Sequence, residues 1–196
     1  MPTPSASRRP TRAELLAAAA SGRPVRDVIA PDLAVLFCGI NPGLYTSWSG
    51  FHFAGPGNRF WPTLHAAGFT ERRLAPSELH RLPEYGLGVT NVVPRATATA
   101  AELAPEEYVA GGQALARKVR RYRPRFLAVL GMGAYRTGFA QPRAGLGEQP
   151  EPIGATRVWV LPNPSGLNAN YSRDDLAALF RALREAAGLP DRTAAG

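Results

Sequence analysis

The sequence predicts an α/β protein: a three-layer α/β/α sandwich around a central, mainly parallel sheet of about four strands. Three observations predict it. Four short apolar runs, near residues 33–38, 88–93, 126–130 and 157–161, lack polar alternation and read as strands buried on both faces. Segments of helical periodicity separate them, which makes neighbouring strands parallel and their crossovers right-handed. Length and composition suit one core of this kind and not two: 196 residues, 45% hydrophobic and 19% charged.

Residues 1–10, with three prolines and two arginines, read as a flexible basic arm preceding a single domain at 11–188. Thr11 and Glu14 form a capping box for a helix over 12–20, and Gly22 provides its stop. The first strand ends in the turn Gly39-Ile40-Asn41-Pro42-Gly43. That turn places Asn41 at the carboxyl end of a parallel strand, where open α/β sheets bind ligands. The stretch between Gly43 and Gly55 carries Tyr45, Trp48, Phe51 and Phe53 and has too many breakers for a core helix or strand, so it reads as an aromatic loop. Each ring could cap the core, but flat apolar faces beside Asn41 also suit a flat ligand.

Asn58 is positioned to cap a helix to about Ala67 whose Phe60, Trp61 and Leu64 share a buried face. Arg59 reads as a loop anchor in preference to a phosphate contact. A short helix near 76–82 leads to the second strand, which carries Asn91 near its end. A helix follows, with Glu106 and Glu107 in its first turn and Tyr122 near its end, stopped by Pro124. Its last turns hold Arg117, Lys118, Arg120, Arg121, Arg123 and Arg125; cations there complement the helix dipole, so a solvated face competes with a nucleic-acid contact. Gly131-Met132-Gly133 resembles half a dinucleotide fingerprint, but Arg136 stands where the motif needs a small residue, so no dinucleotide site is read. Residues 141–152 read as a Pro/Gly loop, and the fourth strand runs into a second Asn-Pro turn, Asn163-Pro164-Ser165-Gly166-Leu167. Ser172 and Asp175 box the last helix, Leu176, Leu179, Phe180 and Leu183 form its stripe, and Gly188 ends it before a flexible tail at 189–196.

The net charge of +8 and sequence pI near 10.5 predict attraction to polyanions. No run approaches the roughly 18 apolar residues of a membrane span, and the first residues lack the apolar centre of a secretory signal, so no membrane partner and a cytoplasmic location are expected. Cys38 is the single cysteine, which excludes an intramolecular disulfide and a thiolate cluster for zinc or iron and sulfur. This argues against a zinc deaminase and against the iron-sulfur glycosylases.

Four blocks together resemble the mismatch-specific uracil/thymine-DNA glycosylase family: GINPG at 39–43, GPGNRFW at 55–61, GVTNVVPRAT at 88–97 and LPNPSGL at 161–167. The resemblance runs from residue 36 to about 185 and implies a base-flipping hydrolase of the glycosidic bond, acting on double-stranded DNA with mismatched uracil or thymine. It implies a monomer with no cofactor and no metal. By the same resemblance Asn41 positions the attacking water, and Asn163 stands where faster single-uracil relatives carry a histidine. Ile40, His52, Phe53, Asn91 and Asn163 would bind the base, with Phe53 as the stacking face. Leu167 would be the wedge in the duplex, flanked by Gly166 and Asn168 toward the opposite strand. An amide cannot deprotonate water at neutral pH, so such an enzyme works by positioning and preorganised donors.

Strand cutting through a Schiff base needs an amine, and the chain has 22 arginines but one lysine, Lys118, placed in a surface basic run; a monofunctional enzyme is expected. His52 and Asn91 lean toward the thymine branch. Pro94 stands where an acidic residue is usual, and Asn168 and Ala169 replace the usual Ser and Arg. Two other readings compete. A mismatch- or abasic-site-binding module would keep Leu167 without needing Asn41, and a nucleotide hydrolase would need a metal-binding carboxylate that neither turn supplies.

Overall fold

A computed structural model describes residues 9–195. In chain order the elements are α1 (Arg12–Ala20), β1 (Val35–Gly39), α2 (Leu44–Ser49), α3 (Phe60–Ala66), β2 (Leu87–Asn91), α4 (Pro105–Tyr122), β3 (Phe126–Leu130), α5 (Met132–Gly138), β4 (Gly147–Glu148), β5 (Arg157–Leu161) and α6 (Arg173–Ala186), with 3₁₀ segments at Pro76–Tyr85, Ala100–Glu102 and Thr193–Ala195. The sheet order is β2-β1-β3-β5-β4, and every pairing is parallel except β4 with β5.

Alternation along the strands divides the core between two faces. Val35 and Phe37 of β1 face one layer with α3 and α6; Leu36 and Cys38 face the other with α4 and α5. On the first face Phe37 meets Phe60, Phe69 and Phe180 at centroid distances of 5.4, 5.5 and 5.8 Å. Ring pairs in this range add roughly 0.5–1.5 kcal/mol each beyond area burial, so the site-bearing strand is fixed from below. The outer edge of β2 is closed by Val28, whose N–H and carbonyl pair with Val89 at 2.9 and 2.8 Å. A side chain at Gly88 would meet the Val28 carbonyl at 2.5 Å, which explains glycine there.

Several expectations are corrected. The expected α/β/α sandwich and its four parallel strands are present, but residues 147–148, inside the segment read as a loop, add a fifth, antiparallel edge strand beside Trp159 and Val160. The aromatic loop contains a single short helix, α2, started after Gly43 and stopped by Gly50 in the left-handed region (φ 78°). Asn58 lies one residue outside the cap position of α3 and instead accepts from the Phe60 N–H at 2.9 Å. Lys118 is not a loose surface cation: its ammonium pairs with Asp27 and donates to Thr90 Oγ1 at 2.9 Å. The residues after Gly188 return to the body, where buried Arg184 donates to the Leu189 carbonyl at 2.8 Å and the Arg192 N–H to the Gly68 carbonyl at 2.9 Å. Residues 1–8 of the expected basic arm lie outside the described residues.

Because the four long strands are parallel, β1, β2 and β5 finish at one end of the sheet, and register sets Gly39 beside Asn91. The helix α4 runs the other way, so Arg120, Arg121, Arg123 and Arg125 sit at the amino ends of the strands, opposite the two Asn-Pro turns. No helix among the described residues is long and apolar enough to cross a membrane.

Candidate active site

A cleft of about 620 Å³ opens at the carboxyl ends of β1, β2 and β5. Its walls come from the Gly39–Gly43 turn, the 52–58 loop, Asn91, Thr97–Ala100 and the Asn163–Leu167 turn. No Asp, Glu, Lys or Arg side chain is among the residues lining it. The described residues also hold no group of three His, Cys, Asp or Glu that could bind a metal ion.

Asn41 is oriented from outside its own turn. Its Nδ2 donates to the Arg95 carbonyl at 2.8 Å and to Thr97 Oγ1 at 2.7 Å, while the Thr97 hydroxyl donates onward to the Thr99 carbonyl. Carbonyl oxygens only accept, so the assignment of the amide is settled by its partners. Both N–H bonds point away into the 95–97 segment, and Oδ1 is left as an acceptor with no partner among the described residues. Arg95 is itself held by Glu107, its guanidinium meeting both carboxylate oxygens at 2.7 and 2.8 Å. The same carboxylate accepts from the Ala104 N–H at the start of α4, and these bonds hold its pKa down at about 2.

Asn163 has the complementary arrangement. Its Oδ1 accepts from the Ser165 N–H at 3.0 Å, an Asx turn, and its Nδ2 has no partner among the described residues. One rim of the cleft thus offers a free acceptor at Asn41 and another a free donor at Asn163.

Phe53 stacks on Phe60 at 4.1 Å with planes 24° apart, and Phe60 stands edge-on to Phe37 in the core. One face of the Phe53 ring is therefore buried and the other lines the cleft. The residue has φ 56°, a left-handed conformation that costs a non-glycine residue roughly 1–2 kcal/mol. Of the other aromatics in this stretch Tyr45 also lines the cleft, whereas Trp48 and Phe51 do not. Trp61 is core, as expected, and its Nε1–H donates to the His52 carbonyl at 3.1 Å, which fixes the loop.

His52 is buried, at 1% exposure, with Nε2 3.0 Å from the Arg26 carbonyl and Nδ1 3.5 Å from Asn91 Nδ2. Burial pushes its pKa below the ordinary value, with the Arg26 carbonyl opposing weakly. Ile40 turns its side chain toward Gly131 and the α4–α5 layer, so what it presents to the cleft is mainly backbone.

The two loops that frame the cleft are locked by Arg59. Its guanidinium donates to the carbonyls of Tyr171, Ser165 and Asn168 at 2.6, 3.0 and 2.7 Å, and its N–H to the Pro164 carbonyl at 2.9 Å. Gly57 and Gly166 touch backbone to backbone; a Cβ at Gly166 would lie 2.5 Å from the Gly57 carbonyl oxygen. Held in this way, Leu167 is 81% exposed, the highest of the large hydrophobic residues described. Asn168 is turned inward, its Nδ2 donating to the Asn163 carbonyl at 2.9 Å and its Oδ1 accepting from the Asn170 N–H. The residues expected to act on the base or the duplex, Ile40, Asn41, His52, Phe53, Asn91, Asn163, Gly166 and Leu167, all line this cleft, and Asn168 lies beside it; Trp48, Phe51 and the basic run at 117–125 do not. Arg95, Thr97 and Glu107 were not anticipated there; the only signal for them is that Arg95 and Thr97 belong to the GVTNVVPRAT block.

A mainly parallel α/β sandwich thus carries, where open sheets of this kind bind ligands, a cleft without charged side chains, floored by Phe53 and rimmed by the exposed Leu167. The chain belongs to the uracil DNA glycosylase superfamily, whose family model matches residues 26–187. Membership supports a DNA glycosylase, a hydrolase acting on uracil in DNA. The fold is also that of a protein from Methanosarcina acetivorans, whose solution NMR structure is described as a candidate uracil DNA glycosylase: TM-score 0.56, 20% identity, covering 83% of this chain and 98% of that one.

Proposed function

We propose that the protein is a monofunctional, mismatch-specific uracil-DNA glycosylase of the uracil/thymine branch, acting on flipped-out uracil in G:U pairs, and on thymine in G:T pairs more slowly. The observation that carries this reading is the orientation of Asn41: both amide hydrogens are taken by the 95–97 segment, so the cleft sees only an acceptor. That oxygen can hold a water by one of its hydrogens but cannot remove a proton, which suits a slow reaction driven by positioning.

The target nucleotide leaves the stack at a cost of a few kcal/mol, least for a mispaired base, which favours mismatches from the start. Leu167 fills the vacated space and the base lies on Phe53. As the glycosidic bond lengthens, its electron pair moves to the base N1 and the charge spreads to O2, where the free Nδ2–H of Asn163 is the available donor. The water held at Asn41 adds its oxygen to C1′, and the proton it sheds goes to solvent or to the departing base anion. Products are free base and an abasic site with the strand intact. The absence of an amine among the cleft residues, with Lys118 occupied by Asp27 and Thr90 on the α4 side of the sheet, supports hydrolysis without strand cutting.

The test is single-turnover excision on G:U, G:T, A:U and single-stranded uracil substrates, each read before and after alkali. Strand breaks that appear only after alkali, fastest for G:U, are expected. No breaks on any uracil substrate would overturn the proposal and favour a lesion-binding module, and breaks without alkali would overturn its monofunctional part.

A further inference from the structure

The side-chain amide of Asn91 has one hydrogen-bond partner among the described residues, and it is His52. The proton positions along this pair follow from chemistry. The Arg26 carbonyl can only accept, so the His52 nitrogen facing it, Nε2, carries the hydrogen. In a neutral imidazole Nδ1 is then a lone pair, and it can be satisfied only by the N–H end of the Asn91 amide, which is the end the structure places there at 3.5 Å. The oxygen end is thereby turned over Gly39, where a Cβ would approach Asn91 Oδ1 to 2.6 Å and the Phe53 ring to 3.1 Å. The acceptor thus lies above the strand end, beside the ring face on which the base is proposed to stack.

We infer that His52 is a positioning residue which fixes the amide of Asn91 with its oxygen toward the base, and so sets the pocket's preference for a pyrimidine carrying a hydrogen on N3. This rests on the function proposed above. Uracil and thymine present N3–H, a donor that matches the Oδ1 acceptor; cytosine presents an unprotonated N3, which would face the same oxygen lone pair to lone pair. Asn91 alone could turn over and serve either base, since nothing else among the described residues holds its amide. A site built around a fixed hydrogen bond discriminates more strongly than one built on shape, because the wrong partner leaves a buried polar group unpaired.

The pair also responds to pH. The charged groups acting on His52 are Asp27, which favours protonation, and Lys118, which opposes it; they are paired with each other, and burial dominates, so the ring is neutral at neutral pH. Protonation would place a hydrogen on Nδ1, which needs an acceptor and would draw the Asn91 oxygen away from the base.

The experiment compares wild type, His52→Leu and His52→Gln on uracil and cytosine, each placed opposite an abasic-site analogue so that base pairing does not differ. Glutamine keeps a donor for Arg26 and an acceptor for Asn91 but cannot be protonated. His52→Leu is expected to excise uracil about tenfold more slowly or worse, with the uracil-over-cytosine ratio reduced by about tenfold or more, the scale of one specific hydrogen bond. His52→Gln should stay within about threefold of wild type in rate and ratio, yet lose the wild-type decline in uracil excision below the ordinary imidazole range. Unchanged rate and ratio in His52→Leu, or an acid decline retained in His52→Gln, would overturn the inference while leaving the glycosylase proposal standing. Absence of uracil excision by wild type would overturn the proposal itself. If the leucine variant does not fold, the glutamine profile decides.

Discussion

Removing the Arg59 guanidinium should disconnect the leucine rim from the base cleft without dismantling the fold. Three carbonyls of the 165–171 segment accept from this one group at 2.6–3.0 Å, and each charge-assisted bond is worth roughly 1.5–3 kcal/mol when shielded from water. The segment is partly exposed, so its carbonyls would rehydrate on loss of the side chain, and about 2–4 kcal/mol is a reasonable total for Arg59→Ala. If all of that falls on ordering the loop, excision from duplex drops by at most about 30- to 900-fold. Lysine can replace one of the three bonds and should recover only part of the loss. The assay is single-turnover excision from duplex and single-stranded uracil, alongside urea unfolding. The expected pattern is a duplex rate at least tenfold down, a single-strand rate changed much less, and a cooperative unfolding transition. An equal fall on both substrates would refute the claim that Arg59 acts through the loop carrying Leu167.

Asn41→Ala should lower single-turnover excision by roughly 10² to 10³ while DNA binding survives, as measured by equilibrium titration; equal loss of both would make Asn41 structural. Leu167→Ala should slow excision from duplex far more than from single strands, and uniform loss would favour packing over wedging. Arg120→Gln and Arg121→Gln should leave the slope of log affinity against log salt nearly unchanged, because their helix end lies opposite the cleft; a fall in magnitude of about 1 would place a phosphate there. Glu107 has a folded pKa depressed to about 2 by Arg95 and the Ala104 N–H, so its stabilising contribution is present above the ordinary carboxylate range and fades as pH falls from about 4.5 to about 2. Glu107→Gln should therefore melt lower than wild type at neutral pH, with the gap closing across that window. Its excision rate should also fall modestly, since Arg95 holds the carbonyl that orients Asn41.

The sheet and its rim were legible because they rest on local signals. Apolar runs mark buried strands, and Asn-Pro and glycine turns mark their ends. Gly39 is legible as a close-approach residue, although not that Asn91 and Phe53 are what approach. What was hidden depends on partners far apart in the chain. Six residues of α2 between Gly43 and Gly50 are too short to show periodicity, and the two-residue β4 exists only because β5 offers it an edge. Lys118 looked like one more cation of a solvated helix end; its pairing with Asp27 follows from the 26–28 segment crossing the edge of β2. The same holds for Asn41, which the turn announces, while the groups that orient it lie 54 and 56 residues away.

The left-handed backbone at Phe53 sets the interests of folding and of chemistry against each other at a single codon. Glycine or asparagine would relieve the conformational cost at once, and either would remove the ring on which the base is proposed to lie. A library of this protein selected for heat resistance alone should therefore drift toward small residues at position 53 and lose uracil excision as it does so. Under selection for repair, phenylalanine would persist only while the rest of the core, above all the edge-on Phe60–Phe37 pair beneath it, keeps enough stability in reserve to absorb the strain. Destabilising changes in that aromatic core would then appear as lost activity before they appear as lost fold.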